Sequence, residues 1–193
     1  MISRSQLRDW LFKVLSLENA LDQFEAEGLS VRAATDARAV QRILPLENFS
    51  PEVRRNAMRA LPAYLAFFCL ENSVREVVAE RLSEIHGSNW WETCSNQGMR
   101  DRVNARREKE GKNRWHVRRG EHEIYYTDFG DLRRVIQKNW AEFEDLFPDL
   151  NWITSRLNEL EASRNIIAHS NVLEHREVDR IRLYLDDWLR QVG

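Results

Sequence analysis

Three long stretches carry apolar residues at helical spacing, which restricts the chain to helices packed on helices. Tyr64, Phe67, Leu70, Val74, Val77 and Ile85 mark the first; Phe129, Leu132, Ile136, Trp140, Phe143 and Phe147 the second; Ile153, Leu157, Leu160 and Ile167 the third. Steps of three and four place such residues on one face of a 3.6-residue helix. Each face has to be covered by another, so the expected fold class is all-α, with these three helices as an antiparallel core. The third stripe has an interruption. Between Leu160 and Ile167 the position facing the core is Arg164. A guanidinium buried without partners is costly, so Arg164 has to meet an anion, a ring of acceptors or a second protein surface.

Taken in order, the chain opens with a helix capped by Ser3, with Leu7, Trp10, Leu11, Val14, Leu17, Leu21 and Phe24 on one face and a stop at Gly28. A shorter helix is expected from about Val31 to Leu44, before Pro45. Ser50, Pro51 and Glu52 then read as N-cap, first helical proline and a carboxylate suited to the helix dipole. Pro62 is expected to kink or split the helix that follows, and Gly87 to cap its end. Asp128 caps the second core helix, which Pro148 ends. The terminal helix carries Val178, Ile181, Leu185, Trp188 and Val192. One domain over residues 1–193 is the expectation, with 1–48 as an N-terminal helical extension and 50–193 as the bundle.

Residues from Trp90 to His122 break the periodicity, and around 97–122 lies a basic insertion. Nine basic residues between Arg100 and Gly120 face only Asp101, Glu108 and Glu110. One reading is a solvated, partly helical excursion. The other is a lip for RNA phosphates built from Arg106, Arg107, Arg114, Arg118 and Arg119, with Trp115 and Tyr125 as stacking surfaces. Trp115 to Arg118 and His122 to Tyr126 flank Arg119-Gly120-Glu121 and could pair as a small hairpin.

Composition excludes more than it identifies. Charged residues are 31% of the chain and nearly balanced, for a net charge of -2, so any nucleic-acid affinity has to be local. Cys69 and Cys94 lack paired spacing, and Cys69 beside the first stripe reads as a buried thiol, as in a cytosolic protein. With no signal-peptide pattern and no run of eighteen apolar residues, a cytoplasmic location away from the membrane is expected. The histidines are too scattered for a zinc site, so no metal and no cofactor is expected. Asp128-Phe129-Gly130 echoes a kinase motif, but neither a glycine-rich phosphate loop nor a catalytic His-Arg-Asp accompanies it.

The stretch Arg164-Asn165-Ile166-Ile167-Ala168-His169 remains as the candidate site. Asn165 and His169 share a helix face, whereas Arg164 and His169 are five residues apart and point about 140° from each other. Either the helix ends near Ser170 and Asn171, or a second copy supplies the missing partner across a two-fold axis. On the residues alone, a polar pair satisfied at a helix end is the favoured reading. Glu71 and Arg75, one turn apart on the first core helix, either form an intrahelical pair or serve a site. This stretch resembles the signature of the HEPN superfamily. Tyr125 to Leu132, Asn139-Trp140 with Phe143, and Glu71 to Glu76 followed by Gly87 and Asn89-Trp90-Trp91 look like its Swt1-type branch, over roughly residues 60 to 175.

The resemblance implies a homodimeric endoribonuclease that works without metal, with Arg164, Asn165 and His169 as catalytic residues and Glu71 and Arg75 lining the groove beside them. It implies RNA as substrate and a toxin-antitoxin or phage-defence role beside an antitoxin or other defence partner. A non-catalytic dimerisation or adaptor module is the alternative, since the superfamily contains both.

Overall fold

The computed structural model describes residues 44–193 apart from Arg114, together with Ala20 and Gln23. The two helices expected before Leu44 lie outside the described residues. The chain divides into two compact units, Met1–Met58 and Arg59–Gly193. In the first, the Ser50 hydroxyl accepts the Val53 N–H at 3.3 Å, the capping role read from the sequence.

The helices are α1 (Pro51–His86), α2 (Trp90–Cys94), α3 (Gln97–Gly111), α4 (Phe129–Lys138), α5 (Leu150–Ala168) and α6 (His175–Val192), and no strand occurs among the described residues. The all-α expectation therefore holds. In α1 the buried face is Ala63, Phe67, Leu70, Val74, Val78 and Leu82. Tyr64 and Ile85, expected on that face, are 55% and 45% exposed. Tyr64 follows Ala63 by one residue, about 100° around the helix, which turns its ring outward. The same rotation exposes Cys69, two residues beyond Phe67, so the buried thiol is Cys94 and not Cys69. Pro62 does not split α1, which runs unbroken to His86.

The second core helix is shorter than its apolar stripe. Asn139 donates through Nδ2 to the Val135 carbonyl at 2.8 Å and to the Cys94 carbonyl at 3.0 Å, ending α4 and tying it to α2. Phe143 and Phe147 are buried as expected, but from turns that follow the helix. Where α4 crosses α5, a Cβ at Gly130 would sit 2.7 Å from Glu161 Oε1, so glycine permits the close approach. The hairpin expected between Trp115 and Tyr126 is absent. Residues 115–122 run through turns and bends, and Glu123–Tyr126 closes into a 3-10 turn. Tyr125 N–H to His122 O and Thr127 N–H to Ile124 O satisfy backbone groups that a strand partner would have taken.

Asp149 caps α5 by accepting the Trp152 N–H at 2.8 Å, and Ile153, Leu157 and Leu160 are buried as the stripe requires. Its C-terminus closes as a Schellman turn: Ser170 N–H reaches Ile167 O and Asn171 N–H reaches Ile166 O. The turn needs a left-handed residue, and Ser170 supplies it at φ 60°. The terminal helix is present as expected, with Ile181 and Trp188 buried and the Trp188 indole donating to Ser73 Oγ on α1 at 2.9 Å. Replacing Ser170 by glycine removes the steric cost of a side chain at positive φ, less the entropy glycine adds to the unfolded chain. Ser170→Gly is expected to raise stability by about 0.5–1 kcal/mol in urea unfolding, and an unchanged midpoint would refute the strained turn.

Candidate functional site

The arginine on the α5 stripe meets an anion of its own chain. Arg164 Nε donates to Glu71 Oε2 at 3.3 Å, while Glu71 Oε1 accepts from Arg75 one turn further along α1. Glu71 is only 8% exposed, so one buried carboxylate serves two guanidiniums. Arg75 also donates to Asn72 Oδ1 at 3.1 Å and to the Thr127 carbonyl at 2.9 Å. Burial lowers its pKa from the ordinary arginine value despite the opposing pull of Glu71. Its Nε–H has no acceptor. The Glu71–Arg75 pair is thus an intrahelical ion pair, and Glu71 also reaches Arg164 on α5.

These three side chains line an open pocket of about 630 Å³, together with Arg106, Arg119 and Asp128 and the rings of Tyr64, Phe68 and Tyr125. Four guanidiniums against two carboxylates leave the lining net positive. Along α5 the lining continues through Ile167 to Ala168, the residue before His169. His169 is exposed as the C-terminal cap of α5, and Asn165 is exposed one turn back.

A second carboxylate, which sequence reasoning passed over, holds the basic insertion in place. Asp131 is fully buried and accepts from Arg102 at 2.7 Å, Arg134 at 3.0 Å and Arg106 at 3.2 Å. Arg106 also donates to the Tyr126 carbonyl and pairs with Asp128 at 3.0 Å. For Asp128, burial works to raise the carboxyl pKa, but the hydrogen bond from the Asp131 backbone N–H and the Arg106 guanidinium outweigh it and bring it below the usual carboxylate value. The signal was available in the sequence: Asp131 is three residues after the Asp128 cap, inside the first turn of α4.

The insertion is therefore a clasp in which many of the arginines are paired internally. Arg107 pairs with Glu123, and Arg119 with Glu110 at 2.7 Å. Arg118 lines a separate cavity with Arg107 and Tyr126, and Trp115, 79% exposed, lies tilted beside His116 with ring centroids 3.8 Å apart. Of the residues expected to contact RNA, Arg106 and Arg119 reach the pocket beside Arg164, Arg107, Trp115 and Arg118 do not line it, and Arg114 lies outside the described residues. Among the described residues no helix is long and apolar enough to cross a membrane.

A family model, Swt1-like HEPN, matches residues 65–193, well over half of the chain, and the protein belongs to that family. Comparison with the curated proteins and with the solved structures gave no match.

Asp131→Ala is expected to cost about 2–3 kcal/mol in urea unfolding; the loss stays at that level because its arginines are partly exposed and can turn to water. A change under about 0.5 kcal/mol would show that the clasp contributes little. Asp128 adds a pH dependence. A carboxyl with a lowered folded pKa stabilises fully above its unfolded value and loses that contribution as pH falls through the folded one. The stability gap between wild type and Asp128→Asn should be complete near neutral pH and close below about pH 4. A gap that stays constant on acidification would contradict the Arg106–Asp128 assignment.

Proposed function

We propose that the chain is a metal-independent endoribonuclease of the HEPN type, acting in the cytoplasm. The observation that carries this reading is Arg164, anchored by Glu71 beside Arg75 in an open, net-positive pocket whose lining ends on α5 at Ala168, the residue before His169; Asn165 and His169 themselves do not line it. An open positive groove suits a polyanion.

In this mechanism the substrate's 2′-oxygen forms a bond to the adjacent phosphorus while the bond from phosphorus to the 5′-oxygen breaks. The 2′-hydroxyl gives its proton to a histidine, and a proton is returned to the departing 5′-oxygen. Imidazole titrates near pH 6.5 and suits both transfers. Arg164 holds the charge of the phosphorane through parallel donors, displacing its contact with Glu71, and Asn165 orients His169 or a phosphate oxygen. The products are a 2′,3′-cyclic phosphate and a 5′-hydroxyl.

One imidazole has to serve two oxygens on opposite sides of phosphorus. A homodimer that brings two copies of His169 and Arg164 together removes that demand and the divergence of the two residues on one helix. A nuclease acting on cellular RNA has to be restrained until needed, which is why we set the activity in a toxin-antitoxin or phage-defence context with a restraining partner protein. The second reading, a non-catalytic dimerisation or adaptor module, draws support from the exposed apolar side chains of Tyr64, Leu65 and Phe68 on α1.

His169→Ala tests the first reading. His169 is exposed and off the packed stripe, so stability should change by less than about 1 kcal/mol. Cleavage of mixed RNA in excess EDTA should fall about 10²-fold or more, whereas Arg164→Ala should reduce both cleavage and stability. Cleavage by His169→Ala at the wild-type rate would overturn the catalytic assignment and leave the module reading.

A further inference from the structure

Tyr125 is held in an unusual way. A Cβ on Gly120 would sit 2.8 Å from its Cγ, so the ring lies directly against a backbone that only glycine leaves bare. The ring stays 42% exposed and lines the same pocket as Arg75, Arg119 and Arg164. Two more rings of that pocket, Tyr64 and Phe68 on α1, are 55% and 60% exposed and stand 6.4 Å apart. Exposed aromatic faces beside guanidiniums define a ligand that is both planar and anionic.

We infer that this pocket is a subsite for one unpaired nucleotide, with its base stacked on Tyr125 and its phosphate on Arg164 and Arg119. Three features point there. The volume, about 630 Å³, falls within the range of small-ligand sites, roughly 300–1,000 Å³. The lining carries two more guanidiniums than carboxylates, and Arg75 keeps a buried Nε–H with no acceptor. Tyr125 offers a half-exposed ring backed by the Gly120 backbone, which a base can use whatever its identity. An A-form duplex keeps its base faces covered, so the subsite selects single-stranded RNA. The inference rests on the nuclease reading in taking RNA as the source of that nucleotide, and it makes Tyr125 a specificity-determining residue and Gly120 its positioning residue.

Binding by His169→Ala protein, which leaves the RNA uncut, separates the two readings. Fluorescence anisotropy would compare a labelled single strand of about six nucleotides, the same strand in a duplex, and a competing nucleoside 5′-monophosphate. The single strand should bind at least tenfold more tightly than the duplex. In the same background Tyr125→Ala and Tyr125→Leu should each weaken it about tenfold, Tyr125→Phe should keep it, and Gly120→Ala, by lifting the ring, should match Tyr125→Ala. Competition by the monophosphate at the strand's own affinity would support the subsite and assign it to a free nucleotide. Equal binding of strand and duplex, or full affinity in Tyr125→Leu, overturns the inference even if the wild type cleaves RNA. The expected binding pattern in a protein without nuclease activity would defeat the catalytic reading and leave the subsite standing.

Discussion

The site depends on one carboxylate shared between two helices. Glu71 is nearly buried, and a buried anion is tolerated only when its oxygens are occupied by donors. Arg75 takes one oxygen from the same helix, and Arg164 takes the other from α5. That second contact favours one position of the signature helix along α1, because a shift by one turn would leave Glu71 held by Arg75 alone and Arg164 without its carboxylate. The interruption of the α5 stripe by an arginine is thus a feature that favours its register. A phosphate entering the pocket meets donors whose geometry is already held by Glu71, and it competes with that carboxylate for Arg164.

Asp131 has the corresponding role for the insertion. Its burial beside three arginines joins α3 to the start of α4 and pulls the segment up to Tyr126 onto the same face of the bundle. Much of the insertion's positive charge is spent internally in this way. Arg106 and Arg119 are the exceptions that matter for the site, since each keeps an internal partner while still lining the pocket next to Arg164.

How much of this could be read from residues alone depended on the range of the interaction involved. Helical periodicity, the caps at Ser50 and Asp128, and the stop at Gly87 are local, and they are where the sequence places them. Arg164 stood out because a charge on an apolar stripe demands a partner, but nothing in the stripe says that the partner is 93 residues earlier in the chain. Tyr64 and Cys69 were misplaced because a stripe with steps of three and four drifts around a 36-residue helix, and the choice between neighbouring residues is made by what packs against them. The hairpin failed for a similar reason. Alternating side chains around Gly120 allow strand pairing, but the pull of Arg106 and Arg107 on Tyr126 and Glu123 closes the backbone into a tighter turn.

The contact between Gly120 and Tyr125 has a consequence in entropy. A free surface tyrosine samples several rotamers and gives that freedom up when a ligand stacks on it. With its ring against the bare Gly120 backbone, Tyr125 has given up part of that freedom during folding. That part of the cost falls on folding, so in the proposed subsite a stacking base would have less of the ring's motion to arrest, and a single stacked ring could be held with a smaller contact area.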